Sequence, residues 1–209
     1  MASKVNSIKQ FCADLADRGL IASLHPAYLS NSDFAAASAL PDVVYAGFDP
    51  TAPSLHFGHL IVLANLFRAT LHGCHAIALV GRATARVGDP SGHTSDRLVA
   101  PEEVVDENAN EMKSVLENLC NNFTSDYAEA RGRLLVVDNA DWHLKMSSLQ
   151  FLDICRNFRV GEMLRMGTVK ARMRSGVGLS CAEFLYQIFQ SYDWYRLSRD
   201  YNCYFQVRA

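Results

Sequence analysis

The chain has 209 residues, 49% of them hydrophobic and 20% charged, with a formal net charge of -2. That is an ordinary globular composition with room for one sizeable domain; it excludes a disordered or fibrous chain and a protein held to nucleic acid by bulk positive charge, so any RNA contact has to be local. Cys12, Cys74, Cys120, Cys155, Cys181 and Cys203 are scattered without a Cys-x-x-Cys pair, which points away from a zinc site or disulfide framework and toward small buried apolar groups in a reducing compartment.

No apolar run is long enough to span a membrane, and the N-terminus lacks the apolar core of a secretory signal. It opens instead with Ile8, Phe11, Cys12 and Leu15 on one helical face, ending at Arg18-Gly19. Asp14 and Asp17 do not suit a mitochondrial transit peptide, so no presequence is expected. Residues 26–42, rich in Ser, Ala, Asn, Asp and Pro, read as a connector. The β-prone Val43, Val44 and Tyr45 follow, and Gly47 leaves room for another group to approach the backbone closely. Asp49-Pro50 and Pro53-Ser54 are turn chemistry; from His59 on, Leu60, Leu63, Ala64 and Phe67 repeat at helical spacing to Leu71. A strand, turn, helix junction of this kind aims a helix N-terminus at the pocket above the sheet. Unpaired N–H groups and the helix dipole favour phosphate there, and the imidazoles of His56 and His59 can donate hydrogen bonds to phosphoryl oxygens. The plain alternative is a pair of surface histidines beside a turn.

Further along, Ala76–Val80 reads as a strand buried on both faces, and Gly81–Gly92 as a loop whose Gly88-Asp89-Pro90-Ser91-Gly92 has tight-turn chemistry. Pro101-Glu102-Glu103 fits a helix start, with the helix running to about Leu119. Leu134–Asp138 is the clearest strand, and Leu149, Leu152 and Ile154 suggest a short helix. Between Arg156 and Arg174 stand Arg156, Arg159, Arg165, Lys170, Arg172 and Arg174 against the single acid Glu162. Such a run is either a face for RNA phosphates or a solvated helix surface. Ser180 starts a helix to about Leu197, and Cys203–Val207 reads as a fourth strand. On that helix Tyr186, Gln190 and Asp193 share one polar stripe; spacing alone puts it in water, with Leu185, Ile188, Phe189 and Tyr192 on the far side. Strands alternating with helices predict an α/β fold with a mostly parallel sheet, which binds ligands at the carboxyl ends of its strands.

His56-Phe57-Gly58-His59 resembles the His-Ile-Gly-His signature of class I aminoacyl-tRNA synthetases. Its flank, Tyr-x-Gly-Phe-Asp-Pro-Thr-Ala-x-Ser-Leu-His-x-Gly-His from Tyr45 to His59, resembles the tyrosyl form in particular. Two further blocks carry the same resemblance: Val-Gly-x-Ala-Thr-x-x-x-Gly-Asp-Pro-Ser-Gly at 80–92, and Glu183-Phe184-Leu185-Tyr186-Gln187-Ile188-Phe189-Gln190-Ser191-Tyr192-Asp193. Phe11 to Ile21 is also similar to the opening of the mature synthetase domain.

The resemblance implies a Rossmann-like (HUP-type) sheet with flanking helices, incomplete at the C-terminal end, with an N-terminal helix and connector at 1–42 and a partial catalytic domain at 43–209. It implies that Asp89, Tyr186 and Gln190 surround the ammonium of L-tyrosine, that Tyr45 and Asp193 hold its phenol hydroxyl, and that Gln206 is a further pocket position. Asp49, Gly58, His56 and His59 are then expected at the ATP, with His56 and Thr51 stabilising the transition-state phosphates, magnesium accompanying ATP, and no resident metal or tightly bound cofactor. A pocket that pairs the phenol hydroxyl rejects phenylalanine, whose bound form leaves buried polar groups without a partner; the tyrosyl enzymes are themselves the worked example of that effect.

Several positions depart from the family pattern. Arg82 and Ala85 stand where many members have glycine, Ala85-Arg86 is similar to the mitochondrial branch, and Ala46 and Val62 differ from the usual bacterial residues. Asp89 as a simple turn cap remains the alternative to a substrate role. Past Gln206 the family continues Gln-x-Gly-Gly-Ser-Asp-Gln, whereas this chain reads Val207-Arg208-Ala209. Neither the Lys-Met-Ser-Lys-Ser loop nor the anticodon-binding domain is in the sequence, and Lys145-Met146-Ser147-Ser148 reads as coincidence. The expectation is a truncated tyrosine–tRNA ligase of reduced or no activity, acting with tRNA(Tyr), a homodimer in its full-length form through the 145–170 region, mitochondrial if eukaryotic and otherwise cytoplasmic. Another His-x-Gly-His nucleotidyltransferase and a noncatalytic tyrosine-binding or dimerisation module are the alternatives.

Overall fold

The structure, a computed structural model, describes residues 7–23, 40–91, 100–127, 129–176 and 178–208. Most of the 26–42 connector, and Gly92 of the predicted loop, lie outside them. Four strands, β1 (Val43–Phe48), β2 (His75–Val80), β3 (Leu134–Asp138) and β4 (Phe205–Gln206), make one sheet in the order β3-β2-β1-β4. Every pairing is parallel, with Tyr45 opposite Ile77 on one side and Gln206 on the other. Their side chains divide the core by period two. Val44, Ala46, Phe48, Ala76, Ala78 and Val80 pack under α1 (Ser7–Asp17), α2 (Phe57–Leu71) and α4 (Glu102–Asp126). Val43, Tyr45, Ile77, Leu79 and Val137 pack on the opposite face with Trp142, Leu197 and Cys203. Both faces being covered explains why the strands read as near-continuous apolar runs.

The remaining helices are α3 (Arg82–Ala85), α5 (Ala140–His143), α6 (Ser148–Cys155), α7 (Val160–Met163), α8 (Gly167–Arg174) and α9 (Cys181–Tyr201). Because α2 and α4 lie on one face and α9, with Leu197, on the other, the winding reverses between β1 and β4. That reversal opens a crevice outside the carboxyl ends of the two strands, the place where such sheets take ligands.

Local expectations needed correction where distant groups intervene. The predicted loop after Gly81 holds the single turn α3, because the Ala83 N–H, which a helix start cannot satisfy internally, finds Asn139 Oδ1 at 2.8 Å. Helix α4 runs past Leu119 to Asp126, carried by Phe123 stacked on Phe67 at 4.2 Å. Helix α9 likewise passes Leu197 and stops at Tyr201, where Asn202 adopts the left-handed conformation at φ 54°. The turn that follows, with the Cys203 N–H on Leu197 O, shortens β4 to two residues. Of the cysteines, Cys74, Cys120 and Cys203 are buried as expected, but Cys12 and Cys155 are half-buried and Cys181, opening α9, is exposed. Arg172 does not belong to a solvated basic face: it is 1% exposed and paired with Glu183 of α9 at 3.1 Å. Among the described residues no helix is long and apolar enough to cross a membrane.

Candidate active site

Strand β1 delivers the chain to Asp49, and after the turn His56 caps α2. His56 Nδ1 accepts the His59 N–H at 3.3 Å while His59 Nδ1 accepts the His56 N–H at 3.4 Å, a reciprocal box built from two imidazoles. The rings stack at 3.7 Å and 17°. With both Nδ1 atoms accepting, a neutral ring keeps its proton on Nε2, so the helix mouth carries two ring donors. Burial, and then the facing His56, push the pKa of His59 down to about 4, so at neutral pH it donates as an uncharged ring. A Cβ on Gly58 would sit 3.0 Å from His56 Cε1 and 3.1 Å from its Nδ1. A side chain there would press on the imidazole, which would have to give way slightly, so this glycine bears on the ring as well as on any ligand. Thr51 is exposed on the same turn, its N–H on Asp49 O. A Cβ on Gly47 would meet nothing within 4 Å among the described residues.

Asp49 looks inward. Its Oδ1 accepts from Thr84 Oγ1 and its Oδ2 from the Tyr186 hydroxyl, both at 3.2 Å. Any Cβ on Gly81 would collide with Asp49 Oδ1 and Thr84 Oγ1, so the glycine that opens α3 also seats the carboxylate. The resemblance assigns Asp49 to the nucleotide and Tyr186 to the amino acid; the fold joins them by a hydrogen bond across 137 residues of chain. Burial first, then the charges of Asp49, Asp89 and Asp193, hold the Tyr186 phenol well above its ordinary pKa, so it stays a donor. Asp89 caps its own turn, accepting the Ser91 N–H on Oδ1 at 2.8 Å, and still lies within electrostatic reach of Tyr186.

Helix α9 starts at Ser180, whose side chain and that of Glu183 form a capping box. The stripe that spacing alone would leave in water faces the sheet instead: Tyr186 and Asp193 are buried and Gln190 is exposed. On the far side Ile188 is buried, whereas Leu185, Phe189 and Tyr192 are half-buried, with Phe189 4.9 Å from Phe151 of α6. Asp193, 4% exposed, receives Trp142 Nε1 at 2.8 Å, His143 Nε2 at 2.7 Å and Asn139 Nδ2 at 3.1 Å. Fully buried Asn139 also donates to Thr84 Oγ1 at 3.2 Å and accepts the Ala83 N–H, tying β3, α3 and α9 together. Tyr45 lies on this side of the sheet; burial, then the charge of Asp193, raise its phenol pKa, against a weaker pull from Arg208. Gln206 is its neighbour in register on β4.

Asn139, Trp142 and His143 were missed from the sequence. The available signal was their place, immediately past the carboxyl end of the clearest strand. Among the described residues no three His, Cys, Asp or Glu side chains are grouped to hold a metal ion. The polar groups are instead hydroxyls and imidazoles, which donate, and carboxylates, which accept, a set able to meet both cationic and anionic groups.

A family profile described as tRNA synthetases class I (W and Y) matches residues 40–206. The mitochondrial tyrosine–tRNA ligase of Homo sapiens is 42% identical over 173 residues, covering 81% of this chain and 36% of that protein. The tyrosine–tRNA ligase of Acidothermus cellulolyticus is 42% identical over 199 residues, covering 93% of this chain and 44% of its own length. Among solved structures, a C-terminally truncated mitochondrial tyrosyl-tRNA synthetase of Aspergillus nidulans superimposes with a TM-score of 0.85 at 32% identity, over 95% of this chain and 56% of that one. The chain thus spans well under half the length of these curated relatives, and within that span the profile, the parallel sheet and the paired imidazoles agree: it belongs to the class I tRNA synthetases (W and Y).

Proposed function

We propose that this chain binds L-tyrosine in the crevice between β1 and β4 and ATP at the mouth of α2, as the amino-acid-activating part of a tyrosine–tRNA ligase. The observation that supports it most is the buried hydroxyl of Tyr186 on Asp49 at 3.2 Å, with Asp89 and Asp193 within electrostatic reach. In this reading Asp89, Tyr186 and Gln190 take the ammonium, and Tyr45 and Asp193 take the phenol, with Gln206 beside them. Asp49, Gly58, His56 and His59 meet the nucleotide.

The tyrosine carboxylate oxygen attacks the α-phosphorus of ATP, forming the acyl phosphate bond as the bond to the bridging oxygen breaks and pyrophosphate leaves. The tRNA 3′-terminal hydroxyl then attacks the acyl carbon and AMP departs. No covalent bond to the protein is required. His56, His59 and Thr51 donate to phosphoryl oxygens as charge builds there, so the rate comes from positioning and preorganised donors. Magnesium enters with ATP as part of the substrate.

tRNA(Tyr) is the partner proposed for the second step, with exposed Arg156, Arg159, Arg165, Lys170 and Arg174 as the basic face nearest to hand. Exposed Leu149, Leu152, Val160, Leu164 and Met166 favour a homodimer through this region. An organellar setting follows the mitochondrial relatives, with a bacterial cytoplasm as the alternative that the bacterial ones favour.

The test is calorimetric titration of the chain with L-tyrosine and L-phenylalanine, followed by tyrosine-dependent ATP–pyrophosphate exchange. Selective tyrosine binding with little exchange is expected, because the glycine-rich continuation and second signature loop of the family lie outside these 209 residues. Absence of tyrosine binding favours another nucleotidyltransferase, and a robust exchange rate overturns the account of the ATP side.

A further inference from the structure

We infer that His143 is a positioning residue that sets discrimination between tyrosine and phenylalanine, by donating to Asp193 so that a single acceptor site of that carboxylate stays open to a phenol hydroxyl. This rests on the proposed tyrosine site and goes beyond it, since nothing in the family resemblance marks position 143.

The side chain of His143 is 3% exposed, and its sole polar contact among the described residues is Nε2 to Asp193 Oδ1 at 2.7 Å. Its Nδ1 is buried and meets no partner. The ring is boxed by Phe189 at 4.9 Å, Tyr192 at 5.6 Å and Trp142 at 6.2 Å. A phenylalanine could fill that aromatic box without orphaning a nitrogen, and an unpaired buried acceptor is unfavourable. What imidazole adds is one N–H aimed at Asp193.

The effect on the carboxylate is a matter of counting. A carboxylate offers about four lone-pair sites. Trp142 and His143 occupy both of those on Oδ1, and Asn139 occupies one on Oδ2. One site on Oδ2 is left, on the sheet face that also carries Tyr45. No Lys or Arg among the described residues lies within ion-pair distance of Asp193, so its partners are the three donors Trp142, His143 and Asn139 and no guanidinium or ammonium competes with a hydroxyl for the remaining site. Without His143, Trp142 and Asn139 still hold the carboxylate but Oδ1 regains an empty site, so a phenol no longer meets a single open acceptor site.

The experiment compares the 209-residue chain with His143→Phe and His143→Gln, each titrated with L-tyrosine and with L-phenylalanine. His143→Phe should lower the tyrosine-to-phenylalanine affinity ratio about tenfold, the scale of one hydrogen bond to a charged group, almost wholly through tyrosine. His143→Gln, whose amide restores a donor, should recover most of that ratio. A folded His143→Phe with the ratio unchanged overturns the inference, as does a Gln variant that loses as much as Phe. Should His143→Phe not fold, long-range 1H–15N correlation on the unsubstituted chain decides: a ring proton on Nε2 agrees, and one on Nδ1 alone overturns it. Failure of the underlying function looks different, because the unsubstituted chain then binds tyrosine and phenylalanine equally or not at all, and the inference falls with it.

Discussion

The two ends of the crevice are built by opposite means. At the Asp193 end the acceptor is buried, and its donors come from 50, 51 and 54 residues away in sequence. At the other end His56 is exposed, and the two imidazoles are held by each other and by the backbone three residues along. The difference fits the proposed function, in which the two ends recognise different groups. Telling a hydroxyl from a hydrogen requires a dry acceptor whose every other bond is already made, since only then does a missing partner cost much. Stabilising charge on phosphoryl oxygens needs outward donors at a helix start, which local geometry provides. Damage at the buried end should therefore appear as lost stability, and damage at the open end as lost ligand affinity with the fold intact.

The largest effect expected is at the root of the buried end. Arg172 bonds Glu183 and the Gly178 carbonyl, anchoring the start of α9. Arg172→Met leaves a buried carboxylate without its cation and should cost about 3–5 kcal/mol in urea unfolding, whereas the double change Arg172→Met, Glu183→Leu should recover most of it. A loss of the size seen at a surface arginine would mean that α9 is not held there. Next, Asp193→Ala strands the Trp142, His143 and Asn139 donors and should cost about 2–3 kcal/mol, less than three separate penalties because the emptied space can relax. It should also abolish tyrosine binding.

How much of this was legible in the sequence divides along the same line. The three longer strands, the helical repeat of α2 from His59 on and the Ser180 start of α9 are local patterns, and local patterns are what a sequence displays; the paired caps, His56 with His59 and Ser180 with Glu183, emerge only in the structure. Helix α3, the Asn139 hub and the Arg172–Glu183 pair depend on partners that the fold brings together; nothing in Arg172's own neighbourhood, a run of basic residues, distinguishes it from Arg174, which stays exposed. The α9 stripe shows the point most clearly. Its spacing is the same whether Tyr186 and Asp193 face water or the sheet, and only the waiting acceptor at Asp49 and the donors at the β3 corner decide it.

At the open end, Gly58→Ala puts a methyl group against His56. Helix propensity favours the alanine by up to about 1 kcal/mol and displacement of the ring opposes it, so the net change in stability should stay within about 1 kcal/mol. ATP affinity, read by titration, should fall all the same. Unchanged affinity would detach the imidazoles from the nucleotide.

The smallest effect concerns protons. His59 titrates at about 4 in the folded chain against an ordinary 6.5, so the folded state binds fewer protons between those values. Its contribution to stability is complete above pH 6.5 and is lost as pH falls toward 4. The half-buried ring keeps this modest. His56→Gln removes the lesser of the two causes, the facing imidazole, and leaves burial, the greater. An NMR titration of the His59 ring protons should accordingly move up from about 4 without reaching 6.5. A midpoint that reaches 6.5 would make the stacked partner, and not burial, the source of the neutral ring, and would bring the open end closer in kind to the dry one.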